Sequence, residues 1–478
     1  MSSSQLPAST PPAPPQILFD EGDVERQLLW HQNRLQSRLD GHQRRIAADL
    51  AQFHRLDFYK LSAVRVSGGH YTRPEFLSEL FRPLLADGRE RTLPEILKCS
   101  DEIHDRLAKL GIFSHLQMSL AATRDDPQGL EALVKVVERG RFFLKTSTDV
   151  GNGEGALTGL ARVRNVCGRA EVFEASIGLG NKTRASCQVR AEAPLWAARA
   201  RGELAANASE RDFSGFASCN ETSKAVAARL RTDTAYGAHE LSYELATRTI
   251  GSLLPGASDR LVVASTQPFS IRQVAAAGPN LRSAVSLSWI RDTRDQTVFP
   301  TKGSLLKLVQ EYAGLFGQTN YLKMTVESGF VRPLLSTSAV SGLIHPLAGR
   351  AVPFNDRFQL GGPTNVRMFQ MNSLGPKDRS YDYLGGEKYW ATGLSVLAPI
   401  PSKPDWPLKL HGFINAGSLF NDWQTLKSQK PSVALGMGLV GSIQDVRVEA
   451  NVGMPLLAQK SDGARRGLQV GLGIGFLS

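Results

Sequence analysis

Residues 467–476, GLQVGLGIGF, alternate without a break. Leu468, Val470, Leu472, Ile474 and Phe476 fall on one side, and Gly467, Gln469, Gly471, Gly473 and Gly475 on the other. A period of two marks a strand with two unlike faces. The same period runs upstream from about residue 141. Cys187, Val189, Ala191 and Ala193 alternate with Gln188, Arg190 and Glu192. Leu241, Tyr243 and Leu245 alternate with Glu240, Ser242 and Glu244, and Val446, Val448, Ala450 and Val452 with Arg447, Glu449 and Asn451. About sixteen such segments fit between residue 141 and the end. A soluble β-sandwich shows the same alternation with its apolar face turned inward. That number of segments is too many for one sandwich and suits an even-numbered membrane barrel. The expected fold is therefore mainly β: an antiparallel transmembrane β-barrel over residues 141–478, preceded by a smaller α+β domain.

Composition agrees. The 44 glycines and only 21% charged residues suit many strands and tight turns. No run of about 18 apolar residues is present, so no transmembrane helix is expected, which leaves a barrel open. The net charge of +11 favours anionic lipid, nucleic acid or acidic partners without choosing among them. Cys99, Cys167, Cys187 and Cys219 are scattered, with neither a CxxC nor a Cys/His metal spacing.

The N-terminal part differs. Residues 1–21 begin with a Pro/Ser-rich run and are expected to be disordered. Residues 22–56 carry Val24, Leu28, Leu35, Leu39, Ile46, Leu50 and Phe53 near a helical spacing. No basic start followed by an apolar core is visible, and acidic residues precede the first Arg, Arg26. This argues for synthesis in the cytosol without a signal peptide or cleaved presequence. Residues 57–140 read as strand, two helices and two strands. Each helix has a capping-box start, Thr72 with Glu75 and Thr92 with Glu95, and the second ends at Gly111.

Catalytic motifs are missing. Gly436-Met-Gly438-Leu-Val-Gly441 fits GxGxxG, but residues 442–453 alternate as a strand where a dinucleotide site needs a helix. There is no P-loop, nucleophile elbow or HExxH, and the His residues stand alone. Neither an enzyme nor a cofactor is expected.

One stretch is neither strand nor ordinary loop. In residues 357–376, RFQLGGPTNVRMFQMNSLGP, Gly361, Gly362 and Pro363 break the backbone, and Val366, Met368 and Phe369 flank a single cation, Arg367. A cation among bulky apolar residues needs an acceptor, because unpaired burial is costly. The stretch resembles the signature loop of the outer-membrane barrel-assembly superfamily, to which bacterial BamA and the mitochondrial sorting-and-assembly (SAM) core barrel belong. The family's Val/Ile-Arg-Gly-Phe reads here Val366-Arg367-Met368-Phe369, with Met at the Gly position. Three further stretches are similar to the family: Arg291–Asp295 with the following Leu305–Gly314, Asp382–Trp390, and the C-terminal strand, in which Gln469, Gly471, Ile474 and Phe476 fit a mitochondrial β-signal. Residues 57–140, with Leu110-Gly111-Ile112-Phe113, resemble a single POTRA domain.

The resemblance implies an insertase that folds β-barrel precursors into the mitochondrial outer membrane, with its POTRA domain in the intermembrane space. A precursor's β-signal would pair at a seam between the last strand and the first, expected at Phe142, Phe143, Leu144, Lys145, Thr146, Ser147, Thr148 and Asp149. Arg367 would enter the lumen and bond an acidic wall residue, with Glu387 the candidate. The implied partners are peripheral SAM subunits on the cytosolic face, β-barrel precursors such as porin and the outer-membrane translocase channel, the lipid bilayer and the cristae-organising complex, with no nucleic acid, cofactor or metal. A passive protein-conducting pore of the same architecture, as in a chloroplast envelope, and a soluble β-rich binding protein remain the alternatives.

Overall fold

The computed structural model describes residues 57–85, 90–123, 129–151, 154–254, 257, 271–377, 382–401, 406–443, 446–473 and 476–477. The expectations for residues 1–21 and 22–56 lie outside them, as does Ile474. The described chain falls into two compact units. One takes residues 57–65, 83–102 and 118–133, the other 66–82, 103–117 and 134 onward.

The N-terminal α+β region comprises strands β1 (Phe58–Ser67), β2 (Arg91–Thr92), β3 (Phe113–Ala122) and β4 (Gly129–Glu138), with helices α1 (Pro74–Leu85) and α2 (Leu93–Leu110). Its sheet order is β2-β1-β4-β3. Leu77, Leu80, Phe81 and Leu84 of α1 are buried, as are Ile96, Ile103 and Leu107 of α2, each set at helical spacing. The Thr92 box forms in part: the Thr92 amide donates to Glu95 Oε2 at 3.1 Å. The Thr72 box does not. The Thr72 hydroxyl and amide both donate to Glu138 Oε1, at 2.6 and 3.0 Å, and the helix starts two residues later at Pro74. A distant carboxylate thus takes the place of Glu75. Gly111 closes α2 at φ 71°, a left-handed position that suits glycine.

The remaining strands form one sixteen-stranded sheet. They are β5 (Phe142–Gly151), β6 (Glu154–Arg164), β7 (Val172–Gly180), β8 (Thr183–Leu195), β9 (Ala200–Asp212), β10 (Asn220–Thr234), β11 (Gly237–Gly251), β12 (Asn280–Asp292), β13 (Gly303–Gly317), β14 (Tyr321–Arg332), β15 (Leu335–Pro346), β16 (Lys388–Pro399), β17 (Leu408–Phe420), β18 (Ser432–Ile443), β19 (Val446–Leu457) and β20 (Gly467–Gly473). Each strand pairs antiparallel with its sequence neighbours in the sheet. The Gly436–Gly441 motif lies inside β18, where its glycines are ladder residues.

Alternation sorts the two faces. Ile177, Val189, Leu204, Val226, Met437 and Val452 are exposed on one, an apolar surface that water would not tolerate over this extent and lipid would. The other face carries the polar residues and a buried apolar cluster. Phe358, Leu360, Val366, Met368, Phe369 and Leu374, all from the segment between β15 and β16, pack there on Tyr321, Ala391, Phe413 and Leu419 of the strands. The core is therefore loop against wall.

Candidate functional site: the lumen loop and the seam

The β15–β16 connection is tied to the wall along its length. Near its start a short 3-10 turn, Phe354–Asp356, presents Asp356 to three cations. The Arg248 guanidinium donates to its carboxylate at 2.7 Å, Arg282 Nε lies 3.3 Å away, and Lys323 Nζ donates to its carbonyl at 2.9 Å. Arg357 then pairs with Glu387 at 3.3 Å, both buried. Gly361 and Gly362 turn the chain at φ 106° and 125°. A Cβ at either would sit 2.9 Å from Gln370 O or Met371 Sδ.

Arg367 follows and is fully buried. Its Nε and Nη2 donate to the two carboxylate oxygens of Glu449 on β19, at 2.8 and 3.0 Å. Its Nη1 donates to Asn415 Oδ1 on β17 at 3.0 Å and to the Leu477 carbonyl at 2.5 Å. A bidentate guanidinium–carboxylate pair fixes both angle and distance. The expected partner, Glu387, is thereby corrected to Glu449. Glu387 is occupied by Arg357 nearer the loop's root, whereas the tip reaches far enough down the lumen to meet the penultimate strand. Glu449 is itself held in place: Asn451 Nδ2 donates to it at 2.8 Å, His411 Nδ1 bonds Asn451 Oδ1 at 3.0 Å, and Ser395 Oγ bonds His411 Nε2 at 2.9 Å.

The Met at the motif's Gly position does occupy a left-handed conformation, φ 63°. A side chain there is strained by roughly 1–2 kcal/mol. Burial offsets that strain, since Met368 is fully enclosed, with its Sδ 3.1 Å from where a Cβ on Gly453 would stand. Its peptide is gripped from both sides. The Met368 amide donates to Gln469 Oε1 at 2.9 Å, and Gln469 Nε2 donates to the Phe369 carbonyl at 3.0 Å.

Of the expected β-signal residues, Gln469, Gly471 and Phe476 thus face the loop. A Cβ on Gly471 would meet Pro363 Cβ at 3.0 Å and the Phe476 ring at 3.2 Å. Gly417 on β17 makes the same kind of room for Val366 and Leu360. In Asp382–Trp390, the aromatics Tyr383 and Tyr389 serve packing: Tyr383 is buried, and Tyr389 lies against Phe358 with ring centroids 4.6 Å apart. Asp382 accepts from the amide and hydroxyl of Ser218, both at 2.8 Å.

In the Arg291–Asp295 stretch, Arg291 and Asp292 end β12 and residues 293–295 open the turn that leads to β13. Arg294 closes on Asp292 at 2.7 Å. Asp295 accepts from the Thr301 hydroxyl at 2.6 Å and amide at 2.8 Å, which hold its carboxyl down to about 2. Phe299 of that turn reaches Arg447, whose Cζ is 5.7 Å from the ring centroid.

The seam lies between β5 and β20. They are the two ends of the sheet, come near one another, and share no ladder among the described residues. Residues 142–149 all lie in β5, as expected, and among the described residues pair with β6 alone, from Phe142↔Val163 onward. Phe142 and Leu144 are 81% and 79% exposed, more than any other large apolar side chain among the described residues. The parts missed from sequence are Glu449, Asn415 and Arg447. Their one signal was a carboxylate, an amide and a guanidinium on the polar faces of β17 and β19.

A lumen loop tied to the wall of a sixteen-stranded sheet defines a class of barrel, and comparison with known proteins places the chain in it. Residues 165–476 match the Omp85 superfamily domain, and the chain belongs to the Omp85 superfamily. Among curated proteins it is similar to the SAM50-like protein of Schizosaccharomyces pombe, 32% identical over 443 residues, covering 87% of this chain and 90% of that one. It is also similar to sorting and assembly machinery component 50 homolog A of Xenopus laevis, 31% identical over 427 residues, covering 81% and 85%. Among solved structures, the fold is like that of BamA from Haemophilus ducreyi lacking POTRA domains 1–3. The TM-score is 0.69 at 13% identity, over 87% of this chain and 84% of that one.

Proposed function

We propose that this chain is the core barrel of a mitochondrial sorting and assembly machinery. It folds β-barrel precursors, porin and the translocase channel among them, and inserts them into the outer membrane. The observation that carries the reading is the seam: β5 and β20 each have a hydrogen-bonding edge with no ladder across it among the described residues. In lipid, each unsatisfied backbone group costs several kcal/mol. Such an edge takes up an extended strand by β-augmentation, and an incoming β-signal supplies one. The exposed Phe142 and Leu144 give that strand apolar side chains to pack on. No covalent step is needed.

The names of the relatives support the assembly role. On this reading residues 57–140 are a POTRA domain facing the intermembrane space, and the peripheral SAM subunits bind the cytosolic side. The test is import of radiolabelled porin and of a presequence-bearing matrix protein into mitochondria depleted of this chain. Porin assembly should stall early while matrix import continues; normal assembly of both would end the proposal. Cysteines placed one at a time at residues 142–148 should crosslink to a precursor's last strand. Crosslinks only at mid-sheet strands would refute entry at the seam.

A further inference from the structure

Four buried polar side chains stand in line on β16, β17 and β19: Ser395, His411, Asn451 and Glu449. Ser395 Oγ lies 2.9 Å from His411 Nε2, and His411 Nδ1 lies 3.0 Å from Asn451 Oδ1. Asn451 Nδ2 is in turn 2.8 Å from Glu449 Oε2. The line ends on the carboxylate that takes the Arg367 guanidinium.

The direction of each bond follows from that end. An ionised carboxylate only accepts, so Asn451 presents its amide hydrogens to Glu449. Its oxygen is left facing His411, whose Nδ1 therefore carries a proton and donates. Nε2 could accept from the Ser395 hydroxyl or donate to it, and charge decides between the two. Arg367 from the loop and Arg447 from β19 already share Glu449. His411 Nδ1 is itself 4.0 Å from that carboxylate, with both side chains fully buried. Lys409, two residues earlier on the same face of β17, adds a further cation and is turned to the Phe299 ring, its Nζ 5.4 Å from the centroid. Another positive charge beside a carboxylate already divided between two guanidiniums would be buried without compensation, which is costly. The imidazole is neutral on this count, and Nε2 accepts.

We propose that His411 is a positioning residue for the loop lock: uncharged, with its proton on Nδ1, it fixes the Asn451 amide and so holds Glu449 for Arg367. Without a donor at that point, Asn451 Oδ1 is left unpaired in a dry site. The amide then turns its oxygen toward Glu449 or swings away, and the carboxylate loses its alignment with the guanidinium. The loop tip loosens, and with it the Met368 amide, which donates to Gln469.

The competing role is packing, since the imidazole stacks on Phe413 with ring centroids 5.4 Å apart. The two roles respond to opposite substitutions. His411→Asn keeps a donor near the Nδ1 position and gives up volume, whereas His411→Phe keeps a ring and gives up the donor. The experiment is amide hydrogen exchange on the full chain in detergent micelles, read at Met368. His411→Phe should exchange at least about fivefold faster than His411→Asn. Any smaller difference, or the reverse order, overturns the proposal. The unsubstituted chain gives a second reading that no folding failure can remove. Nitrogen NMR of labelled histidine, with His411 identified by its proximity to the Phe413 ring, should show one neutral Nδ1–H tautomer from about pH 5 to 8. An Nε2–H tautomer, or titration inside that window, overturns it equally. Both measurements read the lock without any insertion, so normal porin assembly in mitochondria depleted of this chain would sink the insertion reading alone.

Discussion

Arg367 and Glu449 meet through two parallel hydrogen bonds, 2.8 and 3.0 Å, between a lumen loop and the penultimate strand. Both side chains are fully buried. The pair locks the loop tip to the wall and orients the guanidinium that also holds Leu477.

The pair is not symmetric. Arg367→Ala leaves Glu449 its contact with Arg447, whereas Glu449→Ala leaves two guanidiniums in one dry slot. Breaking a buried pair from one side costs about 3–5 kcal/mol. Glu449→Ala should lie at the upper end of that range and Arg367→Ala at the lower, by thermal unfolding in detergent. Equal losses would mean that Arg447 does not share the carboxylate.

Met368→Gly sets two effects against each other. It removes the left-handed strain, worth roughly 1–2 kcal/mol. It also empties a fully buried methionine site, which costs about 2–5 kcal/mol. The cavity should win, with net destabilisation of about 1 kcal/mol or more. A more stable variant would show that the loop collapses to fill the space.

Two glycines give a graded comparison. A Cβ on Gly453 would stand 2.5 Å from the Leu435 carbonyl, which belongs to the β18 ladder and cannot move alone. A Cβ on Gly471 would stand 3.0 Å from Pro363, on a loop that gives by tenths of an ångström. Gly453→Ala should therefore destabilise by more than Gly471→Ala, about 3 against about 1 kcal/mol. The reverse order in denaturant unfolding would place the rigid surface on the loop.

Hydrogen exchange should find the seam. The β5 amides that point away from β6 have no ladder partner among the described residues, whereas β10 is paired on both sides. Exchange in β5 should run at least about tenfold faster than in β10. Matching rates would indicate a closed seam.

The β12–β13 turn should loosen in acid. Asp295 sits below its ordinary 3.8, at about 2, because Thr301 donates to its ionised form. A lowered carboxylate stabilises above its ordinary value and stops doing so as pH falls through the shifted one, so the loss should develop between about pH 4 and 2. Asp295→Asn should show faster Thr301 amide exchange at neutral pH. No change would mean that the turn is held by its flanking strands.

Much of the site was legible because alternation is a local property. The two faces of Val446–Val452 were plain from residue types, and so was the anomaly of Arg367 among apolar neighbours. The acceptor was not legible. Several carboxylates stand on polar faces, and choosing Glu449 over Glu387 depends on how far the loop descends, which the packing of Leu360, Val366 and Phe369 sets. Thr72 failed likewise: its local partner Glu75 lost to Glu138, a residue 66 positions away.

From the sequence alone, period two established the strands, their number to a close count, their apolar and polar faces, and an unusual loop with a lone cation, because each depends on neighbours within a few residues. Only the tertiary structure decided that β5 and β20 end the sheet with no ladder between them among the described residues, that Arg367 answers to Glu449, and that Phe476 and Leu477 pack with the loop tip. Those outcomes depend on side chains tens to hundreds of positions apart competing for the same space and the same hydrogen bonds. That competition is resolved only when the sheet has curled and the loop has filled it.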